Sequence, residues 1–273
     1  MFKYGISCAL TELPLTQPVS LRGTIDEVCR TASMIGYDAI ELHIRDPKNY
    51  DPIVIKKTAA NYGLTVCAVA NGMEYTVGGL SLIDDDKEKS NAAYNRILEH
   101  CDFAAALNAK LIIGIMRGNI PPKADTGVYI SRFADVLGRI CDYAENKNTG
   151  IVLESILRYI NNYLCGVKET MDFISAQNRK NLSLHIDTHS MAMEEQNLKE
   201  SILYCKNKAL GYVHYSDNNR RYPGAGALDF SVITEALIEI GYKDFITVEC
   251  LPWPTAEESA KKALNYIKNI AKH

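Results

Sequence analysis

The feature that most constrains the fold is a regular alternation of strand and helix patterns along the whole chain. Eight short apolar runs, typical of buried strands, are separated by longer stretches with helical periodicity. Parallel strands need crossover helices, and one strand–helix unit of an eightfold barrel takes about 30 residues. The 273-residue sequence therefore predicts a single domain over residues 1–273, an α/β protein folded as a (β/α)8 TIM barrel.

The elements of this barrel can be placed on the sequence. Strands are predicted at 3–10, 39–44, 64–70 and 111–116, and then at the runs GIVLES, LSLHIDT, GYVHYSD and FITVEC. Helices are predicted at 24–35, 53–61, 87–107, 128–145, 168–176, 195–205, 231–240 and 255–270. An open doubly wound sheet is the alternative, but no G-x-G-x-x-G follows the first strand to support its dinucleotide-binding form.

The last four strand runs each end in a residue that can bind a divalent metal. These residues are Glu154, Asp187, His214 and Glu249, at intervals of 27 to 35 residues. At that spacing they fall at the carboxyl ends of four consecutive barrel strands, where barrel enzymes place their active sites. Three buried carboxylates without a cation would be very costly. The sequence therefore predicts a metal site rich in oxygen ligands with one imidazole.

Composition excludes several other classes of protein. The formal net charge of −3 gives no reason to expect a nucleic-acid or membrane partner. No stretch of about 20 apolar residues could span a bilayer, and the N-terminus lacks a signal-peptide core. The eight cysteines are scattered without a C-x-x-C pair, which favours reduced thiols and a cytoplasmic location.

Several motifs resemble a known family. The chain contains E-x₃-R-Y, H-I-D-T and V-H-Y-S-D-N-N-R-x-x-P-G-x-G-x-L-D-F, followed by V-E. This set resembles the sugar isomerases and epimerases with the xylose isomerase-like barrel, in the branch of the D-tagatose, D-psicose and L-ribulose-5-phosphate 3-epimerases. The resemblance implies that Glu154, Asp187, His214 and Glu249 bind one divalent ion, namely Mn²⁺, Co²⁺ or Mg²⁺, with Zn²⁺ as a further candidate.

The resemblance also implies the chemistry. A metal that binds both substrate oxygens stabilises the enediolate formed when a carbon next to a carbonyl loses its proton. Glu154 and Glu249 would then serve as the catalytic acid and base on opposite faces of a small sugar, ketose or sugar phosphate. Arg220 occupies the position of the family's substrate-binding arginine. Return of the proton to the same carbon gives epimerisation, and return to its neighbour gives aldose–ketose isomerisation.

Three positions depart from the family pattern, the first being Leu157, which replaces an asparagine. Ile160 replaces a glutamate that contacts the reacting end of the sugar, and Ser190 stands where a substrate-binding histidine is usual. His189 stands one position before the place of the usual histidine. Two interpretations are equally open: its side chain reaches the site, or it caps a loop. These residues are predicted to bind substrate together with others near the strand ends: Arg220, His189, Ser190, Ile160, Glu41, Asn71 and Arg117.

Two further features have more than one interpretation from the sequence: a phosphate group on the substrate and a mobile lid over the site. Five arginines follow carboxyl strand ends and could clamp a phosphate or bridge acidic loops: Arg45, Arg117, Arg158, Arg220 and Arg221. The stretch 71–86 contains a Gly-Gly pair, which suits either a mobile lid or an ordinary connector.

Other functions share this fold and remain alternatives. An inosose dehydratase or keto-sugar lyase would use the same metal site, and a sugar-binding barrel without catalysis would keep only the pocket. An apurinic endonuclease of the same superfamily would need further histidines, and only His43 with Glu41 could extend the site. The substrate is therefore expected to be a small carbohydrate, and relatives with this barrel imply a homodimer or homotetramer.

Overall fold

A computed structural model describes residues 2–271 as a closed barrel of parallel strands surrounded by helices. Each barrel strand pairs with the next one, and β1 pairs with β9 to close the cylinder. The predicted TIM barrel is confirmed. Residues 1, 272 and 273 of the predicted domain lie outside the described residues. The strands are β1 Lys3–Ala9, β2 Leu21–Arg22, β3 Ala39–His43, β4 Thr65–Ala70, β5 Lys110–Ile113, β6 Ile151–Glu154, β7 Leu182–Asp187, β8 Leu210–Tyr215 and β9 Phe245–Val248.

The two-residue strand β2 is an addition to the eight barrel strands. It pairs in parallel with the end of β1, at Cys8↔Leu21 and Ala9↔Arg22. The guanidinium of Arg22 donates hydrogen bonds to the carbonyls of Leu13 and Gln17, both at 2.7 Å. These contacts hold the loop after β1 in a fixed shape over the barrel mouth.

The helices match the predicted pattern, with two additions. The short helices α3 and α7 were not predicted, and the predicted helix 195–205 is shortened to α8. The helices are α1 Ile25–Ile35, α2 Pro52–Asn61, α3 Met73–Thr76, α4 Lys87–Leu107, α5 Thr126–Glu145, α6 Val167–Gln177, α7 Thr188–Glu194, α8 Leu198–Leu203, α9 Phe230–Glu239 and α10 Ala256–Ile270.

Local capping chemistry fixes where the longest helix starts and stops. Asp86 accepts hydrogen bonds from the backbone N–H groups of Glu88 (2.9 Å) and Lys89 (3.4 Å), so α4 begins at Lys87. It ends before Asn108, which adopts a left-handed conformation with φ 56°. The stretch 71–86 after β4, for which the sequence leaves a mobile lid and an ordinary connector both open, is packed in part: Leu82 and Ile83 are buried, whereas residues 76–79 are exposed.

The predicted strand 111–116 is too long. The ladder stops at Ile113, because Gly114 leaves the extended region with φ −112° and ψ −117°. The chain then enters a 3₁₀ helix at Ile115–Arg117. This turn directs the Arg117 side chain into the protein.

The interior of the barrel is filled by side chains below the site. Tyr212 and Thr247 are fully buried, and their hydroxyl oxygens lie 2.7 Å apart. The Cys67 sulfur lies 3.1 Å from the Tyr212 oxygen. Gly5 leaves room for this network, because a Cβ there would lie 2.5 Å from the Thr247 hydroxyl. The barrel is therefore closed from below, and a cavity can open only at the carboxyl ends of the strands.

All eight cysteines are free thiols, and only Cys165 is partly exposed. Burial raises the pKa values of the Cys67, Cys101 and Cys141 thiols to about 12. Within the described chain, the helices lack the length and apolar character that a membrane span requires.

Candidate metal centre and cavity

The four predicted metal ligands meet at the carboxyl end of the barrel. Glu154 and Asp187 end β6 and β7, His214 lies near the end of β8, and Glu249 directly follows β9. The Arg220 guanidinium joins two of them, since it donates one hydrogen bond to Asp187 and another to Glu249 (2.7 Å). The His214 Nδ1 atom lies 3.5 Å from a Glu249 oxygen. The structure therefore brings together residues that are 95 positions apart in the sequence.

Two groups of ligand atoms are compact enough to hold an ion. One consists of Glu154, His185 and His214, and the other of Glu41, His214 and Glu249; the ligand atoms within each group lie within 4.8 Å of one another. Asp187 lies beside both groups, with one oxygen on Arg220 and the other 2.7 Å from the His189 backbone nitrogen. Sequence reasoning missed His185 as a member, although its strand parity with Asp187 placed it on the interior face.

The free nitrogen of His214 fits a metal ligand. Its Nε2 lies 2.7 Å from a Glu41 oxygen, while its buried Nδ1 has no hydrogen-bond partner among residues 2–271. Metal-binding histidines usually donate their second ring N–H to a carboxylate in this way. Both ring nitrogens of the buried His185 also lack hydrogen-bond partners in the part of the chain that the structure describes, and its ring packs edge-on against His214 with centroids 4.2 Å apart.

The electrostatics of the carboxylates point to the same conclusion. Burial, together with the charges of Glu249 and Asp187, raises the pKa of Glu154 to about 8. Burial opposes ionisation of Glu249 as well, but Arg220 and His214 outweigh it and lower its pKa to about 2. The charges of Arg220 and His214 therefore keep Glu249 ionised but leave the pKa of Glu154 raised. A divalent cation would provide the missing positive charge.

A cavity of about 330 Å³ opens above these residues. Most of its polar lining residues lie at or directly after strand ends, whereas most of its apolar ones come from the loops after β1, β4, β5 and β6. The polar lining is Gln17, His43, Asn71, Thr76, Glu154, Ser190, His214, Arg220 and Glu249. The apolar side chains are Leu13, Pro18, Val19, Ala70, Met73, Ile112, Ile115, Ile156 and Ile160.

Four residues of the predicted substrate-binding set line this cavity. They are Arg220, Asn71, Ser190 and Ile160. The Asn71 amide donates to the Ile112 carbonyl at 2.9 Å, and its buried oxygen has no partner within the described chain. Ser190 faces the cavity because α7 begins directly after Asp187, which turns the following residues over the barrel mouth.

Three residues of that set do not line the cavity, and their prediction as substrate contacts is corrected. The Arg117 guanidinium is fully buried and donates to the carbonyls of Glu154, Tyr163 and Leu164. It joins the two ends of the loop after β6. The His189 Nδ1 atom lies 3.3 Å from the Asp217 carbonyl, so this residue caps a loop. Glu41 is covered by the histidines that it binds.

Comparison with known proteins agrees with this architecture. The family model described as the xylose isomerase-like TIM barrel matches residues 29–270. The chain belongs to this family.

Its relatives within the family include characterised sugar epimerases. An L-ribulose 3-epimerase of Methylomonas sp. is 29% identical, over 87% of this chain and 88% of the relative. A ketose 3-epimerase of Arthrobacter globiformis is 27% identical, over 86% of this chain and 80% of the relative. The solved structure of a Methylomonas D-allulose 3-epimerase in complex with D-allulose superimposes with a TM-score of 0.83 at 26% identity, covering 98% of this chain and 96% of the other.

One glycine of this xylose isomerase-like barrel makes room for a site carboxylate. A Cβ placed on Gly114 would lie 2.5 Å from the Glu154 Oε2 atom, and the next side chain that it would meet is that of Ile156, at 3.5 Å. Real Cβ atoms do not approach so closely, so a larger residue would displace the carboxylate. Gly114 therefore fixes where Glu154 can lie in the cavity.

The loop after β8 is organised by a single aspartate. The Asp217 carboxylate accepts hydrogen bonds from the backbone N–H groups of Gly224 (2.9 Å), Gly226 (2.8 Å) and Leu228 (3.2 Å). This fold of the loop places Arg220, with φ 61°, over the ends of β7 and β9. Gly224 and Gly226 of the P-G-x-G motif thus help to position Arg220.

Proposed function

We propose that this protein is a divalent-metal-dependent epimerase of a free ketose, which inverts the carbon next to the carbonyl group. The observation that carries the proposal is that Glu154 and Glu249 line one cavity and both lie beside His214. Two carboxylates in one enclosed site can remove and return a proton at the same carbon. Family membership and the relatives named as sugar 3-epimerases support this reaction class.

The metal would be held by Glu154, Asp187, His214 and Glu249. An oxygen-rich set with one imidazole suits Mn²⁺, Co²⁺ or Mg²⁺. When bound, the ion supplies Lewis-acid stabilisation of the negative charge that develops on the substrate oxygens. Glu41 would orient the His214 ring for this task, because it binds the opposite ring nitrogen.

The protein's own groups would carry the proton transfer. One of the two glutamates removes the proton from the substrate carbon, and the other returns a proton on the opposite face, which inverts the centre. Arg220 fixes the Glu249 carboxylate through a 2.7 Å hydrogen bond and lines the cavity. The apolar loops around the cavity would exclude water and so protect the carbanionic intermediate.

We further propose that the substrate lacks a phosphate group. Among the described residues that line the cavity, Arg220 is the single arginine or lysine, and it already binds two carboxylates. None of the other four candidate arginines is among the residues that line the cavity. Arg117 bonds loop carbonyls, Arg158 pairs with Glu194, the Arg221 guanidinium lies 3.7 Å from the Trp253 ring centroid, and Arg45 lies 4.0 Å from Glu74. A phosphate would therefore find no bidentate partner in the cavity.

Solvent-exchange measurements test the proposed reaction. Mn²⁺-loaded protein is incubated with D-allulose or L-ribulose in D₂O, and NMR follows deuterium incorporation and inversion at C3. We expect exchange with inversion, and a loss of about 100-fold or more in Glu154→Gln and Glu249→Gln. The matched control is Glu239→Gln, because Glu239 is exposed on the outer helix α9.

Each outcome bears on a separate part of the proposal. Full activity in either active-site variant would remove the acid–base assignment. A higher kcat/KM for the ketose phosphates than for the free ketoses would contradict the unphosphorylated substrate. Dehydrated product without inversion would assign the chain to lyase chemistry instead.

A further inference from the structure

His43 occupies a place in the cavity that the proposed reaction leaves without a role. It is the last residue of β3, its side chain is 13% exposed, and it lines the cavity beside His214 and Glu249. Its Nε2 atom lies 3.6 Å from a Glu249 oxygen. A polar side chain at this position faces the same space as the proposed proton-transfer group.

The His43 ring is held by the carboxylate that also holds His214. Glu41 stands two residues earlier on β3, so both side chains point to the same face of the strand. One Glu41 oxygen lies 2.8 Å from His43 Nε2, and the other lies 2.7 Å from His214 Nε2. Because a carboxylate only accepts hydrogen bonds, both rings carry their proton on Nε2.

In the neutral ring, this arrangement leaves the Nδ1 atom of His43 as a hydrogen-bond acceptor. It has no hydrogen-bond partner among residues 2–271 and is not among the fully enclosed polar atoms. His214 offers its Nδ1 to the proposed metal, but His43 belongs to neither compact group of ligand atoms. The free nitrogen of His43 is therefore available to a different kind of ligand.

We infer that His43 is a substrate-binding residue that accepts a hydrogen bond from a hydroxyl group of the ketose through Nδ1. The inference rests on the proposed function and deepens it, since it assigns one polar contact to the substrate at the end of β3. A ketose hydroxyl is a donor of the right kind, and Ala70, the lining residue that pairs with His43 across β3 and β4, offers no competing polar side chain. Glu41 serves as the positioning residue for this contact.

Three variants of His43 separate the contact from its anchor. His43→Asn keeps an acceptor oxygen near the Nδ1 position but gives up the bond to Glu41. His43→Gln keeps an N–H donor for Glu41 but has no acceptor near Nδ1, and His43→Phe has neither. Loss of one neutral hydrogen bond weakens binding about 2- to 10-fold.

The test measures ketose binding and turnover in Mn²⁺-loaded proteins. Titration calorimetry with pre-equilibrated D-allulose gives Kd, and initial rates of C3 exchange give KM and kcat. We expect Kd and KM to rise about 3- to 10-fold in His43→Gln and His43→Phe, and to stay within about threefold of wild type in His43→Asn. Melting curves and metal content confirm that each variant is folded and loaded.

Deoxyketoses identify the partner hydroxyl. The deoxyketose that lacks the partner hydroxyl should bind wild type and His43→Phe with equal Kd. The other deoxyketoses should still bind wild type more tightly than His43→Phe. Wild-type Kd values in all three variants, or equal weakening in His43→Asn and His43→Gln, would overturn the inference. So would a change in kcat at constant KM, because His43 would then act through Glu249.

The two proposals fail in different ways. Wild-type protein that binds ketoses but exchanges no C3 proton contradicts the epimerase proposal, and the Kd series still judges His43. Wild-type protein that binds no ketose overturns both.

Discussion

At the scale of single residues, Glu41 shows what strand parity can and cannot predict. The sequence placed it near the site, because it lies two positions before the end of β3. Its contact with His214 spans 173 positions and exists only because the barrel closes. Sequence alone therefore identified the residue but assigned it to the substrate, whereas the structure assigns it to two imidazole rings.

A second residue-scale consequence concerns Gly114. We expect Gly114→Ala to lower epimerase activity at least tenfold, because the added methyl group would displace the Glu154 carboxylate from 2.5 Å away. The measurements are C3 exchange and the Mn²⁺ dissociation constant. Both should change, while the melting temperature falls by only a few degrees.

Gly150→Ala provides the matched control. A Cβ at Gly150 would meet nothing closer than a Lys110 carbon at 3.8 Å, which is ordinary van der Waals contact. Equal activity losses in both variants would show that any methyl group near β6 perturbs the barrel, and that Gly114 has no specific role.

At the scale of elements, the junction between β7 and α7 combines two tasks in one side chain. Asp187 ends the strand and also caps the helix, since its Oδ1 atom accepts from the backbone nitrogens of His189 (2.7 Å) and Ser190 (3.4 Å). The sequence predicted its strand and its charge but not the helix. A seven-residue helix that depends on one cap leaves too short a periodic pattern to recognise.

Substitutions at Asp187 separate these tasks. Asparagine is a good N-cap, so Asp187→Asn should keep α7 while it removes the charge that faces Arg220. Asp187→Ala should lose both the helix cap and the negative charge. Its free energy of unfolding should be about 1 kcal/mol lower than that of Asp187→Asn. Urea unfolding measures this difference.

Metal affinity is the second measurement on the same pair. It should fall at least about tenfold in both variants, because both lose the carboxylate. Equal stability of the two variants would argue against the capping role, and wild-type metal affinity in either one would remove Asp187 from the proposed ligand set.

At the scale of the whole molecule, the eightfold alternation was sufficient to predict the barrel. Parallel strands require crossovers, so the order of elements determines the topology. The cavity was less predictable. Its apolar wall comes from loops such as those of Leu13 and Ile160, whose direction depends on contacts like the Arg22 bonds to the loop after β1.

Binding of the proposed ion at this highly charged site should make the stability of the fold depend on metal. The ion would bind the folded state, where its ligands are assembled, and not the unfolded chain. Chelated protein should therefore melt at a lower temperature, and Mn²⁺ at 100 times its Kd should add about 2.7 kcal/mol to the free energy of unfolding. Calorimetric melting with and without the ion checks this effect.

Two variants calibrate the metal effect. In Glu239→Gln, Mn²⁺ should increase the free energy of unfolding as much as in wild type, and in Glu154→Gln the increase should be smaller. An increase of the same size in both would place the ion elsewhere on the protein.

The division of the barrel mouth has a consequence for how such a protein can change over time. The proposed metal and acid–base groups come from β6 to β9 and their loops, whereas most of the apolar lining comes from the loops after β1, β4, β5 and β6. Substitutions of those apolar side chains alter the shape offered to a substrate but leave the reacting groups in place. One chemical step can thus be inherited unchanged while the range of accepted sugars diverges.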